Sequence, residues 1–195
     1  MHAFILASQS PRRKTLLEWA EIPFEIIVSD IDESYPTSLA IEEVPVYIAK
    51  NKALAVKEMI ISTKPALVNQ CIIAADTVVV LDHKIIGKPN NKQEAIDSLL
   101  ALSGQTHKVI TGVVLLYQGQ EISFSETTLV EFHTLTPEQI EFYVDKYKPY
   151  DKAGGYAIQE WIGVVGIKKI SGDFYNVMGL PVSKLVKKIK QLNIS

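Results

Sequence analysis

The sequence has a single cysteine, no long apolar run and no surplus of either charge. With only Cys71, the chain cannot form an internal disulfide or a cysteine-based zinc cluster, and this thiol inside an apolar segment predicts an inert core residue. No apolar run approaches the ~20 residues that a membrane-spanning helix needs. Residues 1–14 lack the apolar core of a signal peptide. We therefore expect a cytoplasmic protein without a membrane partner.

The charge balance argues against nucleic acid as the main partner. Lys and Arg number 20 and Asp and Glu number 22, and no stripe of alternating basic and aromatic residues is present. Any site for an anion must therefore be built locally from a few side chains.

The pattern of short apolar segments and amphipathic segments predicts an α/β fold with a mixed sheet. The length of 195 residues allows one substantial core. The predicted helices cover residues 11–20, 46–60, 92–102 and 137–147, with a last one ending near residue 192. The predicted strands cover residues 3–7, 24–28, 71–81, 85–86, 109–117, 121–134, 162–170 and 174–177.

The longest apolar segment, residues 71–81, carries a carboxylate in its middle. Its Ile and Val content predicts a strand buried on both faces, yet Asp76 and Thr77 interrupt it. Removing an unpaired carboxylate from water costs on the order of several kcal/mol. Two interpretations stay open at this point: Asp76 faces a cation, metal or substrate, or it caps a turn at a strand end.

Residues 3–20 combine a strand, a loop of small residues and a helix N-terminus. Ser10 is the expected N-cap, and Pro11 takes the first helical position. The free N–H groups there attract anions, and Arg12 and Arg13 add positive charge where the helix dipole disfavours it. This pattern favours an anion site over the alternative, two solvated arginines on a surface helix.

Two further loops have unusual compositions. Asp30, Asp32 and Glu33 repel one another, which predicts either a hydrated acidic loop or a ligand for a hard divalent metal. Residues 148–159 contain two consecutive glycines, which let a backbone approach a ligand closely, and end on the amide of Gln159. Among the lysines, Lys88 is restricted between Gly87 and Pro89, whereas those on the second helix, Lys52 included, are typical of a solvated face.

A series of short motifs spans nearly the whole chain. They are Ala7–Arg13, Asp32–Glu33, Lys52–Ala53, Ala75–Thr77, Gly87–Pro89, Ser103–Gly104 with His107, Thr111–Gly112, Asp151–Gln159 and Asn176–Pro181. In this order they resemble the Maf family of nucleoside triphosphate pyrophosphatases, once described as septum-formation inhibitors. The form of Asp151–Gln159 resembles the branch that acts on dTTP and UTP.

The resemblance implies a fold, a reaction and a set of site residues. It implies one Maf-like domain over residues 1–195, elongated and two-lobed like inosine triphosphate pyrophosphatases, with the substrate cleft between the lobes, and it suggests a homodimer. The implied reaction is water attack on the α-phosphorus of a nucleoside triphosphate, which releases pyrophosphate. In this scheme Asp76 is the proton acceptor, and Glu33 and Asp76 hold Mg²⁺ or Mn²⁺. The implied phosphate-binding residues are Ser8, Arg12, Arg13, Lys52 and Lys88.

Base choice is predicted to rest on Gln159. Its amide offers a donor beside an acceptor, which matches the imide N–H and one carbonyl of uracil or thymine. Cytosine reverses that pattern, so discrimination requires an amide held in one orientation. The resemblance adds Thr77 and Arg12 to this side of the pocket.

A different class of function is also compatible with the sequence. The chain could be a nucleotide-binding regulator of cell division in which hydrolysis is incidental, since regulation through a protein partner leaves no mark on composition. Pyrophosphate release from a panel of nucleotides, with and without Mg²⁺, discriminates between the two interpretations.

Overall fold

The structure is a computed structural model that describes residues 4–192. Its strands are β1 Phe4–Leu6, β2 Phe24–Ile26, β3 Ile72–Leu81, β4 Lys84–Ile86, β5 Thr106–Tyr117, β6 Gln120–Phe132 and β7 Ile167–Ser171. Its α-helices are α1 Pro11–Trp19, α2 Val44–Thr63, α3 Lys92–Leu102, α4 Pro137–Tyr147, α5 Trp161–Gly166, α6 Phe174–Met178 and α7 Val182–Gln191. Short 3₁₀ turns lie at Pro65–Leu67 and Ala153–Gly155.

The strands form a mixed sheet, as predicted. Its order is β2-β1-β3-β5-β6-β7, and β4 pairs with β3. Strand β1 runs parallel to β2 and to β3, with Ile5 opposite Ile72, whereas β3–β4 and β6–β7 are antiparallel. Strands β5 and β6 are joined by only two residues, a link that permits only an antiparallel pair. Helices and a mixed sheet together confirm the α/β class.

The chain divides into two compact units. The first consists of the residues up to Asp76, Thr111–Glu126, and the residues from Gly179 onward. The second consists of Thr77–Ile110 and Thr127–Met178. Each unit has its own cluster of buried apolar side chains, so each holds its functional residues on a packed core.

In the first unit, helix α2 lies directly against strand β5. Ala49, Ala53 and Val56 are buried with side chains of β1, β3 and β5. The contact is closest at Gly112, where an added Cβ would lie 2.2 Å from the backbone nitrogen of Val46. Only a glycine permits this approach, which brings the beginning of α2 onto the sheet and fixes the position of the lysines further along the helix.

In the second unit, α3 and α4 cover the core, and both begin with the predicted caps. Thr136 and Gln139 form a complete capping box at α4. At α3 the box is only half formed. Asn91 accepts a hydrogen bond from the backbone N–H of Glu94, but the Glu94 carboxylate accepts from Asn90 and from the Asn91 amide rather than from the backbone of Asn91.

The prediction of strands at residues 162–170 and 174–177 is wrong in large part. Only Ile167–Ser171 is a strand, and it is flanked by α5 and α6. Asp173 explains α6, because its carboxylate accepts hydrogen bonds from the backbone N–H groups of Tyr175 and Asn176 and so caps the helix. In α5 the apolar residues do not mark a buried strand, since Val164 is 82% exposed.

Two smaller expectations concern membranes and the cysteine. Within residues 4–192, every helix is too short or too polar to cross a membrane. Cys71 is a free, buried thiol, and burial raises its pKa to about 12. It is therefore protonated at neutral pH and inert, as predicted.

Candidate active site

The loop between β1 and α1 has the predicted capped geometry. Ser10 is the N-cap of α1, and its hydroxyl accepts a hydrogen bond from the backbone N–H of Arg13 at 3.5 Å. The Ser8 hydroxyl oxygen accepts from the backbone N–H of Ser10 at 3.2 Å. The loop is thereby held in a turn, with the N-terminus of α1 available to an anion.

Arg13 is a buried part of this loop rather than a solvated surface residue. Its Nη1 donates to the Ser8 hydroxyl at 3.0 Å, and its Nε donates to the carbonyl of Gly179 at 2.8 Å. Burial lowers the pKa of Arg13, while the nearby negative charges of Asp76 and Glu33 raise it. The preceding Arg12 is half-buried. The surface interpretation is therefore wrong for Arg13, which lies within electrostatic reach of both predicted carboxylates.

Lys52 brings those two carboxylates together. Its Nζ lies 2.7 Å from Oδ1 of Asp76 and 2.7 Å from Oε1 of Glu33. The side chains of Lys52 and Asp76 are only 16% and 10% exposed, and that of Glu33 is 44% exposed. The carboxylate in the middle of β3 therefore faces a cation, which decides between the two interpretations of Asp76.

Of Asp30, Asp32 and Glu33 in the loop after β2, only Glu33 pairs with Lys52. Asp32 instead accepts hydrogen bonds from the backbone and hydroxyl of Ser34, which lower the pKa of its carboxyl. Both interpretations of this loop therefore apply in part, because Asp32 stabilises an exposed turn and Glu33 extends toward Asp76.

The two carboxylates around Lys52 are too few to hold a hard divalent cation alone, but they fit one whose other ligands are waters and substrate phosphates. In the part of the chain that the structure describes, no group of three or more His, Cys, Asp or Glu side chains is arranged to hold a metal. Glu33 and Asp76 nevertheless converge on one cationic group and present hard oxygen donors. Mg²⁺ is commonly held by one or two carboxylates together with waters and substrate phosphates, so this pair fits that kind of site.

The remaining predicted site residues belong to the second unit. Thr77 follows Asp76 on β3 and is partly buried, and Lys88 is exposed in the turn after β4. Gln159 is exposed at the end of the loop 151–160. This loop contacts the turn of Lys88, since the backbone N–H of Gly154 donates to the carbonyl of Gly87 at 3.0 Å. Two predicted site segments are thus tied together within this unit.

Sequence reasoning missed the side chains that hold these segments. In the loop 151–160, Tyr156 hydrogen-bonds Nε2 of His107 at 2.7 Å, and Ala157 donates to the hydroxyl of Tyr143. In the first unit, the carbonyl of Gly179 holds Arg13. Of these residues, His107, Tyr156, Ala157 and Gly179 belong to segments that the resemblance singles out, but no local pattern marks Tyr143.

The fold and these contacts define a class of protein. The helix N-terminus with Arg12 and Arg13 and the contact of Lys52 with the Asp76 carboxylate belong to one unit of a mixed α/β scaffold. Such a site has the chemistry to hold a polyanion beside a general base.

Comparison with known proteins identifies the family. The model of the Maf-like protein family matches residues 3–192, so the chain belongs to that family, and the resemblance is confirmed. It is 48% identical over 190 residues to the dTTP/UTP pyrophosphatase of Parabacteroides distasonis, covering 97% of this chain and 95% of that protein. It is 50% identical over 188 residues to the dTTP/UTP pyrophosphatase of Cytophaga hutchinsonii, covering 96% of this chain and 83% of that protein.

Among solved structures, the chain is similar to the Ham1 protein of Staphylococcus aureus. The likeness has a TM-score of 0.40 and 15% identity and covers 67% of this chain and 71% of that one.

The Lys52 cluster makes a prediction about stability. Lys52→Met keeps the length of the stem but leaves Asp76 without its cation, so the free energy of unfolding at pH 7 should fall by roughly 2 kcal/mol. Adding Asp76→Asn should recover much of that loss. Urea denaturation measures both changes. Lys57→Met, an exposed lysine on the same helix, is the matched control; equal stability of the two single variants would contradict a paired role for Lys52.

The buried His107 predicts a pH dependence of stability. Burial lowers its pKa to about 4, below the ordinary value of 6.5, so the unfolded chain binds the proton more tightly. The lowered pKa of His107 contributes to the free energy of unfolding in full above pH 6.5. About 3 kcal/mol of this contribution is lost as the pH falls from 6.5 to 4. Denaturation between pH 7 and 4 should show this fall in the wild type. His107→Phe should remove that part of the slope, and an unchanged slope would assign it to other groups.

Proposed function

We propose that the chain hydrolyses nucleoside triphosphates, with dTTP and UTP as preferred substrates, to the monophosphate and pyrophosphate. The observation that carries the proposal is the contact of Lys52 with Asp76 and Glu33, in the same unit as the helix N-terminus that bears Arg12 and Arg13. This contact places a buried carboxylate beside one positively charged side chain, in the unit that also holds the two arginines that could neutralise a triphosphate. The names of the relatives, dTTP/UTP pyrophosphatases, support the same reaction.

The cationic groups are proposed to neutralise the triphosphate. The N-terminus of α1, Arg12 and Lys52 would meet its negative charge, and Lys88 is proposed as a further phosphate-binding residue. Ser8 and Arg13 are also proposed to bind phosphate. In addition, Arg13 donates to the Ser8 hydroxyl and to the Gly179 carbonyl, and these bonds maintain the shape of the loop. The fixed positive charge of these side chains would stabilise the departing pyrophosphate, so the site would act mainly by electrostatics and by positioning the substrate.

Asp76 is proposed as the general base. Its Oδ1 is already bonded to Lys52, so Oδ2 is the oxygen that would take the proton of the attacking water. The rigid, buried strand β3 keeps this carboxylate from moving, and Lys52 fixes its orientation. Such preorganisation lowers the barrier without a further change of conformation.

Glu33 and Asp76 would hold a divalent cation, Mg²⁺ or Mn²⁺. When bound, such an ion supplies positive charge to the phosphates and lowers the pKa of a coordinated water. The carboxylates of Asp76 and Glu33 already converge on one point, and Glu33 is exposed enough to be reached by an ion from solvent. Lys52 would then turn from Glu33 toward the phosphates.

Base choice is assigned to Gln159, Thr77 and Arg12. Gln159 ends a loop whose neighbouring residues are buried, and its amide matches the donor and acceptor edge of uracil and thymine. We further propose a homodimer, which the family resemblance supports, and a cytoplasmic location, which the lack of a signal-peptide pattern in residues 1–14 supports.

Asp76→Asn tests the reaction. The change keeps the shape and removes both base and charge, so turnover should fall by on the order of 10²-fold or more. The assay is pyrophosphate release from a panel of nucleoside triphosphates, with Mg²⁺ and after exhaustive chelation. Asp82→Asn, the same change in the exposed turn after β3, is the control and should leave turnover unaltered. Wild-type turnover of Asp76→Asn would refute the base, and turnover after chelation would refute the metal.

Gln159→Ala tests the substrate class. The wild type should hydrolyse dTTP and UTP well, CTP poorly and purine triphosphates least. Removing the amide should flatten this ranking more than it lowers turnover of the best substrate. A purine triphosphate as the best wild-type substrate would contradict the proposed specificity.

A further inference from the structure

The side chain of Gln159 is exposed, but the backbone around it is held from several sides. Tyr156, Ala157 and Ile158 before it are buried, and Glu160 after it is half-buried. No side-chain hydrogen bond of Gln159 itself is present among residues 4–192. Its amide can therefore meet a ligand, while its orientation depends on how firmly the adjacent backbone is fixed.

Tyr143 connects the residues on both sides of Gln159. This fully buried side chain comes from α4, and its hydroxyl accepts the backbone N–H of Ala157 at 3.1 Å. The same hydroxyl donates a short hydrogen bond to the carboxylate of Glu160. One atom thus ties the chain two residues before Gln159 to the side chain immediately after it.

A buried lysine pairs with carboxylates at both ends of the same loop. Lys152, which is buried, lies 2.7 Å from Oδ1 of Asp151 and 3.6 Å from Oε1 of Glu160. The ammonium at the start of the loop therefore faces the carboxylate at its end.

Helix α5 fixes the residue directly before Gln159. An added Cβ on Gly163 would lie 1.7 Å from the carbonyl oxygen of Ile158, so only a glycine allows the helix to lie this close to the loop.

We infer that Tyr143 and Glu160 are positioning residues for the base-reading amide of Gln159. The inference rests on the proposed function, because it assumes that Gln159 reads the base. Uracil and cytosine differ by a reversal of donor and acceptor, and an amide that rotates satisfies both. The Tyr143 hydroxyl holds Ala157 and Glu160, which fixes the direction in which the Gln159 side chain leaves the backbone and so limits the positions from which its amide can meet the base. The two residues thus act on specificity without touching the substrate.

The first test removes one oxygen. Tyr143→Phe keeps the buried ring and frees both the Ala157 N–H and the Glu160 carboxylate. The ratio of kcat/KM for UTP to that for CTP should fall at least about tenfold, mainly through a better KM for CTP, while kcat for UTP stays within about threefold. Exchange of the Ala157 amide hydrogen should accelerate. Tyr147→Phe, one turn along α4 and stacked on Tyr143, is the matched control and should change neither quantity.

Two substitutions at Glu160 give an independent test if Tyr143→Phe folds poorly. Glu160→Ala removes the acceptor and should lower the UTP to CTP ratio as Tyr143→Phe does. Glu160→Gln keeps an oxygen that can accept the Tyr143 hydroxyl, so it should retain most of the discrimination. Equal ratios for the Ala and Gln variants would overturn the inference.

A double variant separates positioning from general loosening. If Tyr143 acts through Gln159, then adding Tyr143→Phe to Gln159→Ala should not lower the ratio further. A further, additive loss would show that Tyr143 acts elsewhere. Should Gln159→Ala itself leave the ratio intact, the assigned role of Gln159 fails and the inference with it. If Gln159→Ala flattens the ratio and Tyr143→Phe does not, only the inference fails.

Discussion

A carboxylate in the middle of a buried strand needs a positive partner, and the arrangement of the first unit provides one. Asp76 lies on β3 among apolar residues, where an unpaired charge would be strongly destabilising. Lys52 supplies the partner from α2, and it can do so because Gly112 lets that helix lie directly on β5. The same ammonium holds Glu33, which comes from an otherwise exposed loop. One lysine therefore links a strand, a helix and a loop, and it brings the carboxylates of Asp76 and Glu33 together.

In the second unit, the exposed side chain of Gln159 stands on a backbone whose neighbouring residues are buried. The hydrogen bonds that hold this loop are made by the neighbours of Gln159: Tyr156 bonds to the buried His107, and Ala157 bonds to the buried Tyr143. Rigid backbone and exposed side chain together allow recognition without a large entropic cost on binding. The first unit thus holds charge, and the second holds a hydrogen-bonding pattern.

Much of this could be predicted from the sequence where the determinants are local. The cap at Ser10, the capping box at Thr136 and the buried strand β3 were all predicted, because each depends on residues close in the chain. The helices at Trp161–Gly166 and Phe174–Met178 were missed, since short apolar runs fit a strand or a helix equally well. Lys52 was singled out by the resemblance alone; its spacing indicated only a solvated face. Tyr143 had no signal, because its importance arises from contacts made after folding.

Arg12 and Arg13 were predicted together as part of one anion site, but their positions on α1 give them different surroundings. Successive helical residues point about 100° apart, so Arg12 and Arg13 cannot both face the same ligand in the same way. Arg13 points inward, where its donors hold Ser8 and Gly179 and its charge lies near Asp76. Arg12 is the less buried of the two. A guanidinium has several donors in a fixed fork, so Arg13 can maintain the loop with Nε and Nη1 and still contribute its charge to the field at the helix N-terminus. The observed contacts of Arg13 therefore maintain the shape of the loop, whereas the side chain of Arg12 is the more accessible of the two.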